Sequence, residues 1–280
     1  MPPSLDRLID IAQVADLAAS GGADSEWPDG WKGLAALYLP GYGSIHARDH
    51  GPDRRYHMTA YNTPTRSVGA IGPCINLVGA STQYLEVDAT PIASEPLTLA
   101  CWARVAVGQS SYVTLSPMWT GDKDAGDQFH AMRLYGKDGV GYKLSADSGW
   151  SQAQTASYIG DSGIWLHCVG TFPSSILRHS YMMGGNQATN TTSEAVANLD
   201  RITIGRYGDS TPTYPFDGAI AYPACWRRAL TDAEVKELAD GGYARMLTPR
   251  PPMISLYVPS GEEPAATPWL YCRRSARIVA

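Results

Sequence analysis

Carboxylate pairs, histidine clusters and activated nucleophiles are the residue patterns that could do chemistry here, and each is sparse. Cleavage of a glycosidic bond needs two carboxylates, about 5–5.5 Å apart in a retaining enzyme. On one strand that calls for acids at i and i+4, commonly with an Asp at i+2. No Glu-x-Asp-x-(x)-Glu run occurs. Glu86 and Asp88 alternate onto one face but lack the third partner. Asp122, Asp124 and Asp127 of TGDKDAGD fall in a Gly/Asp loop, a poor place to hold a general acid. That alternating spacing suits a hard cation, and Ca²⁺ is the one cofactor the chain suggests, although the loop lacks the closing Glu of an EF-hand. His46, His50 and His57 cluster in a Pro/Gly/Arg-rich stretch without H-E-x-x-H, which reads as a solvated loop. The five Cys are widely spaced and odd in number, so neither a disulfide framework nor a zinc site is indicated. No catalytic residue is assigned, and the chain reads as a non-enzyme.

The aromatic balance is more informative. Sixteen Tyr and eight Trp stand against three Phe, and rings with a polar edge suit half-wet surfaces such as sugar platforms or subunit interfaces. For any single ring, ordinary packing is the competing reading.

The chain has 280 residues, 44% hydrophobic, which is ample for one large sandwich with extensions. Its net charge of −5 argues against nucleic acid as a partner. Residues 1–30 set six acids against Arg7 alone, whereas residues 244–280 set five Arg against Glu262 and Glu263. Ends of opposite sign can pair with each other or with neighbouring copies, or simply be solvated tails. MPPSLDRLIDIAQ does not read as a signal peptide, and no run of 18 apolar residues suggests a membrane span.

These features need elements to position them. Ser4 to Ala19 reads as an amphipathic helix with Leu5, Leu8, Ile9, Ala12 and Ala15 on one face, followed by a polar linker. From Leu34 onward, short apolar runs separated by Gly, Pro, Asn and Asp indicate an all-β domain. In 97–107, Leu97, Leu99, Cys101, Ala103 and Val105 alternate with a face that holds Trp102 and Arg104. Further strands are expected at 84–88, 112–119, 129–135, 140–145, 164–172, 176–183 and 200–206. FDGAIAYPACWRRALTDAEVKELADGG (216–242) reads as a half-buried strand running into a capped helix. Thr231 and Glu234 form a capping box, Leu230 and Val235 a hydrophobic staple, and Gly241 the left-handed stop. The domain limits are 1–30 for an N-terminal helical arm and linker, 31–243 for the sandwich, and 244–280 for a C-terminal extended arm containing PRPP.

In order, GLAALYLPGYGS (33–44), CINLVGASTQYLEV (74–87), PLTLACWARV (96–105), GIWLHCVGTF (163–172), SILRHSYMMGGNQATNTT (175–192), LDRITIGRYGD (199–209) and the 216–235 segment resemble the laminin-G-like branch of the concanavalin A-like jelly rolls. The resemblance implies a jelly-roll β-sandwich and places Trp165 and Trp226 in its core. It allows a Ca²⁺ at the sandwich rim, with Asp49 as the match to a first-loop Asp. It also makes Trp102, Trp119, Tyr135, Trp150 and Tyr158 the candidate glycan contacts around the concave face and its loops. The wording of 175–235 further resembles laminin-G-like proteins of tailed phages. From that follows the expectation of a non-catalytic virion surface protein, on capsid or tail, assembled in a host cytoplasm. Its arms would contact other virion proteins or further copies of itself, and its face would contact surface glycans. A soluble carbohydrate-binding lectin is the second reading, and a glycoside hydrolase the third.

Overall fold

In the computed structural model, residues 32–39, 47–107, 114–137, 141–156 and 163–242 are described. The expected N-terminal helix, the C-terminal arm from 244 and Tyr158 lie outside them. Fifteen strands and one α-helix follow in order: β1 (Leu34–Leu37), β2 (Thr59–Tyr61), β3 (Thr65–Gly69), β4 (Gly72–Leu77), β5 (Tyr84–Val87), β6 (Leu97–Val105), β7 (Thr114–Gly121), β8 (Phe129–Lys137), β9 (Gly141–Ser148), β10 (Ser151–Gln154), β11 (Leu166–Ser174), β12 (Leu177–Met182), β13 (Gly185–Asn190), β14 (Arg201–Ile204), β15 (Gly218–Trp226) and α1 (Asp232–Glu237).

All the strand pairs are antiparallel. Sheet one runs β13-β12-β11-β6-β15-β4-β3, with β1 also on β15; sheet two runs β10-β9-β8-β7-β14-β5-β2. The apolar faces of both sheets meet in one core. Leu97, Leu99, Cys101, Ala103 and Val105 of β6 face Met118, Met132, Leu134, Leu144 and Ile202 from sheet two. This is an all-β sandwich of two antiparallel sheets, a jelly roll of the expected kind.

Differences from the sequence reading lie mainly on the outside of sheet one. β15 is buried on both faces, because α1 covers one part of its outer side and β1 pairs alongside it. Trp226, Leu230, Val235 and Leu238 pack there against Ala100 and Val169. A bulge between Ala221 and Ala224, with Tyr222 at φ +50, breaks the simple alternation. The capping box of α1 is present, with Thr231 accepting from the Glu234 N–H and Glu234 reaching back. Gly241 sits at φ +105 as the stop, but the helix leaves the α form after Glu237 in a wider turn. Trp165 is half-buried on the outer face, under the Arg104 guanidinium at 5.2 Å, and is not a core residue. Cys74, Cys101, Cys168 and Cys225 are buried free thiols. Among the described residues, no helix is long and apolar enough to cross a membrane.

Candidate functional site

Period-two alternation dictates what the outside of sheet two displays. While Met118, Met132, Leu134, Leu144 and Ala146 turn into the core, Trp119, Ala131, Arg133, Tyr135, Ser145 and Asp147 turn outward. Arg133 opposes Ser145 and Ala131 opposes Asp147, so Arg133 and Asp147 are diagonal neighbours. The Arg133 Nε donates to Asp147 Oδ2, Ser145 Oγ donates to Oδ1, and Tyr207 Oη donates to Oδ2 at 2.9 Å. Tyrosines wall the guanidinium, with Tyr135, Tyr214 and Tyr207 ring centres 5.2, 5.4 and 5.7 Å from Arg133 Cζ.

Asp147 is 0% exposed and Arg133 3%. Burial pushes the Asp147 carboxyl up from its ordinary value, and Arg133, Ser145 and Tyr207 act against that rise. Burial works against the Arg133 charge too, but Asp147 more than offsets it. Burial, helped by Asp147, also raises the Tyr135 and Tyr207 hydroxyls, so both rings stay neutral at ordinary pH.

A ridge formed by residues 205–215 crosses this face. Gly205 N donates to Pro117 O, Ser116 N to Tyr214 O, and Arg201 Nη1 to Gly208 O at 2.8 Å. Only glycine fits at 208, where a Cβ would lie 2.1 Å from Thr203 Oγ1 and 3.0 Å from Trp119 Cζ3. Beneath or beside the ridge, three N–H atoms are buried without an acceptor: Trp119 Nε1, Arg133 Nη2 and Arg206 Nε.

The expected glycan contacts divide. Tyr135 is half-exposed on this face, near the C-terminal end of β8 and opposite Thr114. Trp150, 60% exposed, stands at one end of it, edge-on to Phe129 at 5.8 Å. Trp119 is fully buried under the ridge and offers no ring face, which corrects its assignment as a contact. Trp102 is on the opposite sheet's outer face, half-buried against Trp165 and Tyr222 with its ring 5.1 Å from His167, so it shares no surface with Tyr135. Residues 157–162, including Tyr158, are outside the described part.

The acidic loop is also rearranged relative to expectation. Asp122 and Asp124 come together with Asp200, their oxygens within 4.8 Å, and Asp127 is not in the group. Asp200 arrives through its backbone, whose N–H donates to Gly121 O at 3.0 Å. Oxygen ligands of this kind suit a hard cation, but Lys123 Nζ already lies 3.7 Å from Asp200. Asp49 lies apart from this group, and its oxygens accept the Gly51, Leu37 and Tyr56 N–H groups. Its loop is solvated in part, as expected: Arg48, Asp53, Arg54, Arg55 and His57 are exposed, but Asp49 is 3% exposed, and burial with nearby Arg54 holds His50 down at about 4. Sequence reasoning missed Arg133, Asp147, Tyr207, Tyr214 and Asp200. The cue present was the inward–outward alternation of 129–135 and 141–147, which marks Arg133 and Asp147 as co-facial once the two runs are paired.

Residues 79–236 match the family model described as Concanavalin A-like lectin/glucanases superfamily. No curated protein matches the chain. Among solved structures, domain 4 of AbnA, a GH43 extracellular arabinanase from Geobacillus stearothermophilus in complex with arabinotriose, is 20% identical. The match covers 74% of this chain and 98% of that one, with TM-score 0.56. The binding domain of Paraclostridial Mosquitocidal Protein 1 is 14% identical over 77% of this chain and 53% of that one, TM-score 0.56. Trypanosoma rangeli sialidase is 15% identical over 83% and 37%, TM-score 0.56. At these identities the likeness is one of fold.

Proposed function

The chain belongs to the concanavalin A-like lectin/glucanase superfamily, and we propose that it is a non-catalytic, glycan-binding surface protein of a phage particle. The observation that carries the glycan part is the outer face of sheet two, where half-exposed Tyr135 and Tyr214 frame an Arg133–Asp147 pair with no net charge. The pair is buried and meets no ligand itself; it backs the two rings, and uncharged, half-exposed rings with polar edges are what a sugar ring stacks on. The arabinotriose complex of the arabinanase domain adds one glycan class to test.

The same face supports the non-catalytic reading. Asp147 on β9 and Glu86 on β5 are four strands apart, roughly 19 Å at the usual strand spacing, against about 5–9.5 Å for a working carboxylate pair. Glu86 and Asp88 are closer, but Glu86 faces Arg206 at 3.0 Å and Asp88 faces Arg201 at 2.6 Å. The Arg201 hydrogen bond holds the Asp88 carboxyl below its ordinary value, the reverse of what a general acid needs. The virion assignment rests on the phage-like wording of 175–235 and on terminal segments of opposite charge.

A glycan array with the full chain tests the first part, with Tyr135→Ala expected to abolish the signal; no binding by the wild type to any neutral or sialylated glycan refutes it. Light scattering tests the second: the full chain should self-associate, or bind particles, through 1–30 or 244–280. A monomer indifferent to removal of both segments counts against the virion role.

A further inference from the structure

On the far side of the 205–215 ridge from Tyr135, β5 and β2 carry a second aromatic arrangement. Tyr61 and Tyr84 are a cross-strand pair, stacked at 4.6 Å with planes 8° apart. The other face of Tyr84 is covered by Arg206, whose Cζ lies 3.3 Å from the ring centre. Arg206 is itself held by Glu86 at 3.0 Å. The result is a three-layer stack of guanidinium, ring and ring, fixed at its inner end by an ion pair. Tyr61 closes it on edge strand β2, 40% exposed, with one ring face taken by Tyr84 and no other ring or guanidinium of the described residues stacked on it.

The backbone around Tyr61 is held in unusual shape. Asn62 and Thr63 adopt φ +58 and +54, and Thr82, across from them, φ +47. A β-branched residue rarely adopts a left-handed backbone, and Thr63 also precedes a proline. The Asn62 side-chain amide holds the turn through Thr82 O at 2.8 Å and Thr82 Oγ1 at 3.0 Å, and Gln83 Nε2 donates to Thr63 O. Strain of this kind persists where surrounding contacts over-determine it, and it collects at ligand clamps.

Charge decides what the stack could take. Arg206 and Arg201 are matched by Glu86 and Asp88, so no net cation remains for a carboxylate or sulfate. Arg206 Nε is left as a buried N–H without an acceptor.

We infer that Tyr61 and Tyr84, backed by Arg206, form a second binding station for a neutral sugar ring, separated by the ridge from the station at Tyr135. This rests on the glycan reading above and deepens it. β2, which carries the available Tyr61 face, and β8 are four strands apart, roughly 19 Å, so a long neutral polysaccharide engages both stations while a short oligosaccharide engages one. The second contact then acts at the effective concentration set by the first.

Affinity electrophoresis of the full chain tests this, through gels loaded with linear arabinan, galactan, laminarin or dextran and with each polymer's trisaccharide as competitor. For the polymer that retards the wild type, Tyr61→Ala should weaken binding about tenfold, the scale of one lost aromatic contact. Tyr61→Phe should keep it, and the trisaccharide's affinity for the Tyr135 station should not change. Retardation unaltered in Tyr61→Ala overturns the second station and leaves the glycan reading standing. Equal loss of polymer and trisaccharide binding also overturns it. A wild type that no polymer retards overturns the second station as well, while the Tyr135 station stands or falls separately on the glycan array.

Discussion

Replacing Asp147 by Ala leaves the Arg133 guanidinium 3% exposed beneath three tyrosine rings with no carboxylate to face. Removing one partner of a buried pair costs about 3–5 kcal/mol, because the surviving charge cannot recover its hydration. At about 2–4 °C per kcal/mol for a domain of this size, the midpoint of thermal unfolding falls by roughly 6–20 °C. Arg133→Met costs about 3 kcal/mol, toward the lower end, since Ser145 and Tyr207 still donate to the stranded carboxylate. The double variant Arg133→Met/Asp147→Leu removes both charges and should cost about 2 kcal/mol less than the sum of the single effects, the remainder being the buried Ser145 and Tyr207 hydroxyls left without their acceptor. Urea unfolding of the four proteins, compared at unchanged slope, gives the coupling directly. Two results refute the reasoning: a cost below about 1 kcal/mol for Asp147→Ala, meaning water reaches the pair under the ridge, or strictly additive single effects, meaning the two residues do not act together.

Two other outcomes are expected. His167 is 0% exposed, and burial lowers it from its ordinary value to about 3. The folded state therefore stays neutral there while the unfolded chain takes up a proton below about pH 6.5; stability is complete above that pH and is lost as pH falls toward 3. At pH 5 the loss from this group is about 2 kcal/mol, and His167→Gln should flatten the acid limb of a denaturation series by that amount. Thr231→Ala removes the acceptor for the Glu234 N–H and should cost about 1 kcal/mol in urea unfolding.

Local rules made parts of the fold readable in advance. The alternation in 97–105 and the cap, staple and stop around 230–241 depend only on neighbours in sequence, and each appears in the structure, with Leu230 and Val235 in one apolar cluster. What escaped depends on which distant strands lie side by side. Trp119 and Tyr135 are alike in sequence, two polar-edged rings on outward strand positions, yet one is sealed by Gly208 and the other is half-open. Only the path of the 205–215 segment decides between them. Asp200 replaces Asp127 beside Asp122 for the same reason, since β14 pairs with β7 across some eighty residues of chain. The Tyr61–Tyr84 stack needed the β2–β5 register, which a three-residue strand barely signals.

The 205–215 ridge is fastened at its two feet and free at its crown. Tyr207, Gly208 and Tyr214 are pinned to strands beneath, whereas Ser210, Thr211, Pro212 and Thr213 are exposed. Exposed loop tips accept insertions and exchanges that strands do not. The crown is thus an adjustable divider: lengthening or trimming it changes the height of the wall across the sheet while Arg133, Asp147 and the core below stay as they are. A single scaffold can in this way be refitted to differently branched or bulkier ligands by editing the exposed tip from Ser210 to Pro212, while Thr213, whose carbonyl accepts the Tyr207 N–H at 3.0 Å, is kept.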